Sequence, residues 1–526
     1  MSGTYDILVV GGGSNSLTAA AYMAKAGKKV LVLEKNAQAG GGTVSINIAP
    51  GFTNDPHATG LVACLPNPAI SHDELPLRQH GFELVPFKAS FASVFEDETG
   101  LISYTSIDRT CDSIARFSQK DADAYRTVAE EAVALLPLLG RSMGAPPLPF
   151  GGFVAMLEQS PSGRRLVTAL LSSVYDVLDD HFESVELKLH FMKWCGEMMM
   201  SPETKGTGLM FHMLLGMSHS FDACCVKGGT RKLTDALIGT ITSFGGDVRT
   251  GAEVRRVITS GGKATGVELT TGETLQARDA VIASIHPWRL GDYIAGLDPD
   301  LVRAARNTKL SDHGAINQQF ALAHAPEYKA GPDYKNVMCV ELMHKNMRAA
   351  RQQFHNFIMG DMDLDKLSPL LMVNTNVDPS RAPPGKATLY LYHFGPREWA
   401  EGGIEAWRDR QTEVADAIWA ETKKYCANLT DDAVIARHVE TPLTHHHHSN
   451  SMMLGDIFGI GGSAAFMLGR RPIPELAQYR VPGVAGLYLS GPFMHPGGAV
   501  TLGGRATAMA MCQDFKIDLK RCFTAI

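Results

Sequence analysis

The first forty residues combine apolar runs and glycine turns in the pattern of a strand–helix–strand unit. The run Asp6–Val10 predicts a buried strand, Gly11–Gly13 predicts a tight turn, and the alanine-rich stretch Leu17–Ala26 predicts a helix. A second apolar run, Lys29–Leu33, predicts another strand, which ends at Glu34. Two strands joined by a crossover helix are typical of a βαβ unit in a parallel sheet.

A long middle region changes to the periodicity of helices. It extends from about residue 106 to 225, and a Pro/Gly-rich segment at 144–152 interrupts it. The clearest helical stretches within it are Asp121–Leu139 and Arg164–Asp180. We interpret this region as a largely helical insertion.

The rest of the chain alternates short strand patterns with longer helical patterns. A helix is predicted to follow the turn Lys227–Gly229, with Thr230 as its N-cap. Strands are predicted at 247–249, 254–259, 264–270, 274–277, 280–284, 315–324, 370–377, 387–393 and 486–490, and further helices at 404–427 and 505–515. Glycine turns separate the first four of these strands, and the first five together favour a small meander that returns to the main sheet.

Composition and charge exclude several classes of protein. The chain has 526 residues, of which 45% are hydrophobic and 20% charged, as is ordinary for a folded protein. Its net charge of −6 argues against a general nucleic-acid binder, so we predict no nucleic-acid partner. Nine cysteines without a C-x-x-C pair favour a reducing, cytoplasmic location, and the N-terminus does not have the pattern of a secretory signal. The protein is expected to be soluble, either free or in peripheral contact with a membrane.

Glycine is the compositional outlier, and its first cluster carries chemistry. The chain contains 52 glycines, about 10% of its residues against ~7% in an average protein. The turn Gly11-x-Gly13-x-x-Ser16 lies between the first strand and helix, where backbone N–H groups and the helix N-terminus bind a pyrophosphate. Glu34, at the end of the second strand, is placed to accept hydrogen bonds from an adenosine ribose. This arrangement predicts dinucleotide binding.

Four further segments point to one family. They are Glu34-Lys35 followed by Gly40-Gly41, the turn and helix at 227–237, the run Gly455-Asp-Ile-Phe458, and Leu487-Tyr-Leu-Ser-Gly491 followed by His495-Pro-Gly-Gly498. Together they resemble bacterial-type phytoene desaturase-like FAD oxidoreductases, within the glutathione-reductase and amine-oxidase group of flavoproteins. The resemblance spans residues 5 to about 515. It is densest in the first 60 residues, around 226–285 and in the last 75.

The resemblance implies an α/β fold with a Rossmann-like FAD-binding domain of glutathione-reductase type. The second unit would be a discontinuous α+β substrate domain that contains the helical insertion. We expect residues 1–105, 226–300 and 451–526 to form the FAD-binding domain. Residues 106–225 and 301–450 would then form the helical and sheet parts of the substrate domain.

The resemblance also implies where FAD is held. Gly11, Gly13 and Ser16 would lie at the pyrophosphate and Glu34 at the ribose, while the backbone of Val254 would meet the adenine. The residues expected to contact FAD are Gly11, Gly13, Ser14, Asn15, Ser16, Glu34, Lys35, Gly40, Gly41, Gly42, Thr43, Val254, Gly491, Pro496, Gly497, Gly498, Ala499 and Val500. Ala499 and the run 501–504 depart from the usual pattern of the family, where further glycines and a Gly-Ala-Pro-Gly stretch are more common.

Histidines supply the catalytic candidates. His495 lies in the last glycine turn, and His57 follows the Gly40–Gly42 loop, so both are candidates for contact with the reacting centre. The run His445–His448 is interpreted as a loop or strand whose alternate histidines reach the active-site cleft or solvent. A substrate contact and a metal site are its alternatives, and no metal is predicted because adjacent histidines cannot all face one ion.

These features predict an FAD-dependent dehydrogenase or desaturase that takes a hydride from a C–H bond of an apolar substrate. That substrate would be an isoprenoid or an alicyclic carbonyl compound, and the methionine-rich segments 191–200 and 209–213 are either core or its apolar lining. Electrons are expected to pass to O₂ or a quinone. An amine or alcohol oxidase, a non-redox carotenoid-isomerase-like flavoprotein and a flavin-binding scaffold are the alternatives, and the oligomeric state stays open.

Overall fold

The computed structural model describes residues 4–61, 65–498 and 500–525. The strands in these residues are β1 (Tyr5–Val10), β2 (Val30–Leu33), β3 (Leu84–Pro86), β4 (Ala89–Phe95), β5 (Gly100–Ser103), β6 (Cys224–Val226), β7 (Asp247–Arg249), β8 (Val254–Ser260), β9 (Lys263–Leu269), β10 (Thr274–Ala283), β11 (Gly314–Leu322), β12 (Val337–Met343), β13 (Leu370–Met372), β14 (Ala387–Gly395), β15 (Val434–Glu440) and β16 (Leu487–Leu489).

The helices are distributed unevenly, with a dense group between β5 and β6. They are α1 (Ser14–Lys25), α2 (Pro68–Ser71), α3 (Ile107–Ala115), α4 (Gln119–Met143), α5 (Phe150–Leu157), α6 (Pro161–Leu171), α7 (Val174–His181), α8 (Val185–Gly196), α9 (Leu209–Ser220), α10 (Arg231–Ser243), α11 (Leu290–Tyr293), α12 (Pro299–Arg306), α13 (Met347–Ile358), α14 (Trp407–Tyr425), α15 (Pro442–His448), α16 (Leu502–Asp514) and α17 (Leu519–Cys522).

The first sheet is parallel at its centre. Strands β7, β2, β1, β10 and β16 lie side by side in that order and all pair in parallel. Helices α1, α10 and α16 pack together on one face, where Ile7 and Val9 of β1 point. Leu8 and Val10 point to the other face, against β8 and β9. Burial on both faces explains why β1 and β2 are almost continuously apolar.

The predicted βαβ unit is confirmed, with α1 beginning at Ser14 rather than at Leu17. The meander is also present, but the two strands predicted at 274–277 and 280–284 form the single strand β10. Its first half pairs antiparallel with β9, and its second half pairs in parallel with β1. One strand therefore carries the chain from the meander into the main sheet.

The second sheet is mostly antiparallel and has the strand order β15-β11-β14-β13-β12-β4-β5. Helices α3, α4, α7, α8 and α9 contribute to its hydrophobic core, which confirms the helical character predicted for 106–225. The predicted helix at 164–180 is two helices, α6 and α7. The strand predicted at 370–377 ends at Met372, because a 3₁₀ turn follows at Asn374–Asn376.

The five-segment division into domains stays a prediction. Strands β4 and β5 belong to the second sheet, although they lie within the predicted FAD-binding segment 1–105. Strands β3 and β6 form a separate two-stranded sheet. In the chain, β3 comes between β2 of the first sheet and β4 of the second, and β6 comes between β5 of the second sheet and β7 of the first. Among the described residues, no helix combines the length and the apolarity needed to span a bilayer.

Candidate functional site

A cavity of about 500 Å³ lies where the two sheets meet. Its first wall follows the carboxyl ends of the parallel strands, with Gly11 after β1, Glu34 after β2, Ser284 after β10 and Gly491 after β16. The carboxyl ends of parallel strands are where α/β proteins bind ligands. The volume lies within the range of small-molecule and cofactor sites.

Two glycine turns, Gly11–Gly13 and Gly40–Gly42, pack against each other at the end of the cavity beside the parallel strands. Gly11 has φ +89°, which L side chains rarely adopt, and the backbone N–H of Gly40 donates to the carbonyl of Gly12 over 2.8 Å. A Cβ added to Gly41 would lie 3.1 Å from Cα of Gly13. A Cβ added to Gly13 itself would meet nothing within 4 Å, so this residue opens directly into the cavity.

Two helix N-termini converge here. Helix α1 begins at Ser14, α16 begins at Leu502, and the backbone N–H of Gly504 donates to Oδ1 of Asn15 over 3.2 Å. The first N–H groups of a helix have no partner within it and carry the positive end of its dipole. The wall at Ser14, Asn15 and Ser16 therefore suits an anionic diphosphate.

Glu34 is a buried carboxylate whose two oxygens are both engaged. Oε2 accepts a hydrogen bond from the backbone N–H of Gly12, and Oε1 accepts one from that of Asn36, both over 2.8 Å. Because an ionised carboxylate has about four acceptor positions, Glu34 retains capacity for ligand hydroxyls on its cavity side. Val254, the first residue of β8, lies in the same wall.

Most of the predicted cofactor residues line this one cavity. They are Gly11, Gly13, Ser14, Asn15, Ser16, Glu34, Lys35, Gly41, Gly42, Thr43, Val254, Gly491, Pro496, Gly497, Gly498 and Val500. Gly40 does not line the cavity, but its backbone N–H donates to the carbonyl of Gly12 in the first glycine turn. Ala499 is outside the described residues. The diphosphate-type wall, the buried acid and the glycine turns together fit the FAD that the sequence predicts.

The last glycine turn is braced by a buried arginine. Arg471 donates hydrogen bonds to the carbonyls of Gly461, Pro492 and Met494 over 2.8, 2.9 and 3.2 Å. Gly497 has φ +92°, and a Cβ there would lie 2.5 Å from the Arg471 guanidinium. The turn therefore requires glycine for its own packing as well as for its place in the cavity wall.

The two catalytic candidates occupy different positions. His57 lines the cavity, and its side chain is only 6% exposed. His495 is buried but does not line the cavity, and its carbonyl accepts a hydrogen bond from the hydroxyl of Tyr479 over 3.0 Å. The structure thus places one of the two predicted histidines, His57, at the wall of the candidate site.

His57 belongs to a cluster that local sequence patterns do not indicate. Its Nδ1 lies 3.4 Å from Oε2 of Glu440, and Nε2 of His445 lies 3.5 Å from the same oxygen. The ligand atoms of these three residues lie within 4.8 Å of one another, a spacing that a metal ion could also bridge. No metal was predicted from the sequence. The amide Nδ2 of Asn317 lies 3.4 Å from Nε2 of His445 and so competes with an ion for that nitrogen.

Burial sets the protonation states in this cluster. It lowers the pKa of His57 to about 3, an effect that His445 and His448 strengthen and Glu440 opposes. Burial raises the pKa of Glu440, but its contacts with His57, His438 and His445 outweigh this and hold the pKa below its ordinary value. At neutral pH, His57 is therefore a neutral imidazole beside the ionised carboxylate of Glu440.

The histidine run forms a helix, so its interpretation as a loop or strand was wrong. In α15, His445 is buried against Glu440, and Nε2 of His448 lies 2.9 Å from the carbonyl of Gly41. His447 is exposed. Helical geometry places His445 and His448 on one face, toward the ring of His57, because residues three apart in a helix are neighbours.

The loop that carries His57 is fixed by a buried ion pair. Nη1 of Arg381 donates to Asp55 over 2.5 Å and its Nε donates to Asp378 over 3.0 Å. Asp55 also accepts a hydrogen bond from the backbone N–H of Thr230 over 2.9 Å. Thr230 is the N-cap residue of α10, as predicted, but its hydroxyl donates to the carbonyl of Ala58 and not to the first turn of the helix.

The far end of the cavity is apolar. Its lining there consists of Trp194, Met198, Met213, Leu214, Met217, Met338, Leu370, Met372, Tyr390, Tyr392, Ile457 and Phe458. Each methionine-rich segment contributes one lining methionine, Met198 or Met213, and the other methionines of these segments, such as Met199 and Met210, are buried. Unbranched methionine side chains adapt to irregular apolar ligands. One carboxyl group, that of Glu197, interrupts this lining, and it was not among the residues predicted from the sequence.

Comparison with known proteins gives the same picture. The family model for flavin-containing amine oxidoreductases matches residues 17–500. The pyridine nucleotide-disulfide oxidoreductase domain-containing protein 2 of Mus musculus is 27% identical and is covered to 94%, with 97% of this chain aligned. A limonene dehydrogenase chain of Castellaniella defragrans is 24% identical, with 98% of this chain and 95% of that protein aligned. A 4,4'-diapophytoene desaturase of a Methylomonas species is also 24% identical, over 99% of this chain and 98% of its own length.

A solved structure shows the fold. Putrescine oxidase bound to putrescine superposes with a TM-score of 0.63 at 15% identity, over 98% of this chain and 99% of that one. The mixed α/β architecture is thus shared with flavin-dependent amine oxidases. The resemblance to desaturase-like FAD oxidoreductases, which was predicted from the glycine and acid motifs, is confirmed.

Proposed function

The chain belongs to the flavin-containing amine oxidoreductase family, and we propose that it is a dehydrogenase or desaturase that removes hydrogen from a C–H bond of an apolar small molecule. The observation that carries this proposal is the difference between the two ends of the cavity, one polar and one apolar. Gly13 and Glu34 line one end, while Trp194, Met213 and Met338 line the other. A cofactor with an anionic diphosphate suits the first end, and an apolar substrate suits the second.

The cofactor of this oxidoreductase is FAD. We place its diphosphate at the N-terminus of α1, its ribose at Glu34 and its ring near Gly491 and Gly497, which continues the glutathione-reductase type of binding expected from the sequence. When bound, FAD supplies the two-electron oxidant. The protein binds the cofactor and the substrate, orients them relative to each other and excludes water from the cavity.

His57 is proposed to accept the second hydrogen of the substrate as a proton. Removal of hydrogen from two neighbouring atoms leaves a double bond, so one proton must reach a base. His57 is neutral, lines the cavity and lies 3.4 Å from the Glu440 carboxylate, which offsets part of the cost that burial imposes on the imidazolium. His495 stays a predicted contact of the cofactor edge without a place in the cavity wall.

Electrons are proposed to leave to O₂ or a quinone. The run Gly459-x-Gly461-x-x-Ala464, the other glycine pattern of dinucleotide type, folds as turns rather than as a strand–turn–helix. The second sheet is mostly antiparallel, unlike a nucleotide-binding sheet. These features favour an acceptor that approaches from solvent or from a membrane over a bound nicotinamide donor.

An amine oxidase on the same scaffold is the second candidate. The family match favours it, as do the rings of Tyr390 and Tyr392, which stack with centroids 5.8 Å apart in the cavity lining. Aromatic faces attract cations such as an ammonium group. Stoichiometric peroxide with an amine substrate would establish this activity.

The deciding experiment is anaerobic reduction of the FAD-loaded protein by a panel of carotenoid precursors, alicyclic carbonyl compounds and amines. We expect bleaching of the flavin by an apolar non-amine compound and a product lighter by two hydrogens. A product of unchanged mass would instead identify an isomerase. Reduction by amines alone would identify an amine oxidase, and a flavin that stays oxidised throughout would overturn the proposal.

A further inference from the structure

Glu197 places a carboxyl group in the apolar end of the cavity. The residue follows the last turn of α8 and lines the cavity between Trp194 and Met198. Its Oε1 is buried and makes no hydrogen bond. An unpaired polar atom in such a place costs free energy in the folded protein, so a ligand that satisfies it recovers that cost.

The neighbouring buried charges are already matched to each other. Nζ of Lys193 lies 2.9 Å from Oε1 of Glu341, and the same ammonium group lies 4.2 Å from the ring centre of Phe394. Among the described residues, no cation lies within ion-pair distance of Glu197. Two buried carboxyl groups therefore share the surroundings of a single ammonium group, and ionisation of both would leave an uncompensated buried charge.

The surroundings disfavour an ionised Glu197. Burial raises the pKa of Glu197 well above its ordinary value, and Glu341 raises it further, while Lys193 opposes both. The C-terminal end of α8, with its partial negative charge, acts in the same direction. In its neutral form the carboxyl group carries one O–H donor.

The other groups around Glu197 offer little competition for that donor. The nearby cavity lining consists of Trp194, Met198, Met338, Tyr390 and Tyr392, together with the thiol of Cys339. Tyr392 donates its hydroxyl to Sδ of Met199 over 3.6 Å. Burial raises the pKa of Cys339 well above its ordinary value, so the thiol is uncharged. Glu197 is thus the carboxyl group of an otherwise apolar or weakly polar wall.

We propose that Glu197 recognises the substrate by donating a hydrogen bond to an acceptor oxygen. This inference rests on the proposed function and makes it more specific. The substrate class is an apolar skeleton with one carbonyl oxygen, rather than an unsubstituted hydrocarbon, which would leave the carboxyl group buried and unpaired. Glu197 is a specificity-determining residue, and the reacting C–H bond lies elsewhere on the skeleton.

The test compares three compounds of one skeleton in the FAD-loaded protein. Limonene has no oxygen, carvone adds a carbonyl group, and carvylamine carries an ammonium group instead. Binding is measured anaerobically from the change in flavin absorption. We expect carvone to bind about tenfold more tightly than limonene, as one buried hydrogen bond implies.

Two variants separate donation from charge. In Glu197→Gln the amide still donates, so the preference for carvone over limonene should persist. In Glu197→Leu the donor is lost, and the two compounds should bind with similar affinity. The carbonyl stretching band of bound carvone should lie at lower wavenumber in the wild-type protein than in Glu197→Leu, a signature that a purely structural role would not produce.

Three results would overturn the inference. They are a wild-type protein that does not prefer carvone, a preference that survives in Glu197→Leu, and a preference for carvylamine that Glu197→Gln abolishes. The last of these would identify an ammonium-binding carboxylate. Failure of the proposed function is seen separately in the substrate panel, as a flavin that stays oxidised or is reduced by amines alone, while these binding comparisons could still be made.

Discussion

The backbone N–H of Gly12 donates a 2.8 Å hydrogen bond to Oε2 of Glu34 and so joins the first glycine turn to the end of β2. Oε1 holds the N–H of Asn36 in the same way. One buried carboxylate therefore shapes the turn and faces the position proposed for the ribose.

Replacement of this carboxylate should weaken FAD binding. For Glu34→Ala we expect an FAD dissociation constant roughly 10- to 100-fold higher, since a hydrogen bond to a charged group contributes about 1.5–3 kcal/mol. Glu253→Gln is the matched control, because Glu253 lines the same end of the cavity but is exposed. Fluorescence titration of the apoprotein with FAD measures both. An unchanged affinity in Glu34→Ala would refute the ribose assignment.

A substitution at Gly13 gives the most direct test of the proposed diphosphate-binding site. Gly13 has an ordinary φ, and a Cβ added there meets no protein atom within 4 Å, so we expect Gly13→Leu to fold normally and to occupy the cavity. We expect purified Gly13→Leu to contain no FAD while its circular dichroism spectrum is unchanged. Gly151→Leu, at an exposed glycine with equally open space, should retain full FAD. Normal flavin content in Gly13→Leu would contradict the assignment.

Gly497 would give a less direct answer. Its φ of +92° and the Arg471 guanidinium 2.5 Å from an added Cβ mean that substitution strains the turn itself. Loss of FAD in Gly497→Leu should therefore come with a lower melting temperature, unlike the loss in Gly13→Leu.

The protonation of His57 predicts an unusual pH profile. Because burial lowers the pKa of His57 to about 3, the ring stays neutral as pH falls from 8 to 5, and it takes up a proton only near pH 3. The rate of substrate-dependent flavin reduction should show no inflection near the ordinary histidine pKa of ~6.5. Stopped-flow measurements across this range test the point. An inflection near 6.5 that disappears in His57→Gln would show that the ring titrates normally.

Loss of the base should affect the reaction more than the cofactor. We expect His57→Gln to reduce flavin reduction by roughly 10²- to 10⁴-fold, the usual contribution of a general base, with FAD content unchanged. Glu440→Gln should also slow the reaction, because it removes the charge that stabilises the imidazolium. His447→Gln is the control, since that side chain is exposed. Equal rates in His57→Gln and His447→Gln would exclude His57 as the base.

The cluster of His57, Glu440 and His445 is expected to act without a metal ion. The Asn317 amide lies 3.4 Å from His445 Nε2, and the Glu440 oxygen already contacts both rings. Elemental analysis of the purified protein should find no stoichiometric metal, and dialysis against EDTA should leave the reduction rate unchanged. One bound equivalent that is lost in His445→Ala would show instead that the three side chains form a metal site.

How far the sequence predicts this molecule depends on the range of each interaction. The part of the cavity wall at Gly11, Gly13 and Glu34 was predictable, because it is formed by two strands, a turn and a helix that are adjacent in sequence. Helix α15 also had a local signal, Thr441 in the N-cap position with Pro442 directly after it, which our interpretation of the histidine run did not use.

The partner of His57 had no such signal. Glu440 reaches His57 because β15 pairs antiparallel with β11 in a register that sets Glu440 opposite Asn317. That register is settled by the packing of the whole second sheet rather than by residues near Glu440. Glu197 was partly predictable. The sequence shows a single acid within the methionine-rich run 191–200, but Lys193 and Glu341 come together beside it only in the fold.

The glycine turns at Gly13 and Gly497 form opposite parts of one cavity wall, although nearly the whole chain lies between them. During synthesis, the β1–α1–β2 segment leaves the ribosome long before β16 and the turn that follows it. The cavity is consequently incomplete until β16 and the turn after it have been synthesised. We therefore expect cofactor loading to follow the synthesis of this turn, and a chain interrupted before residue 490 to expose an incomplete binding site to the cell's quality-control proteases.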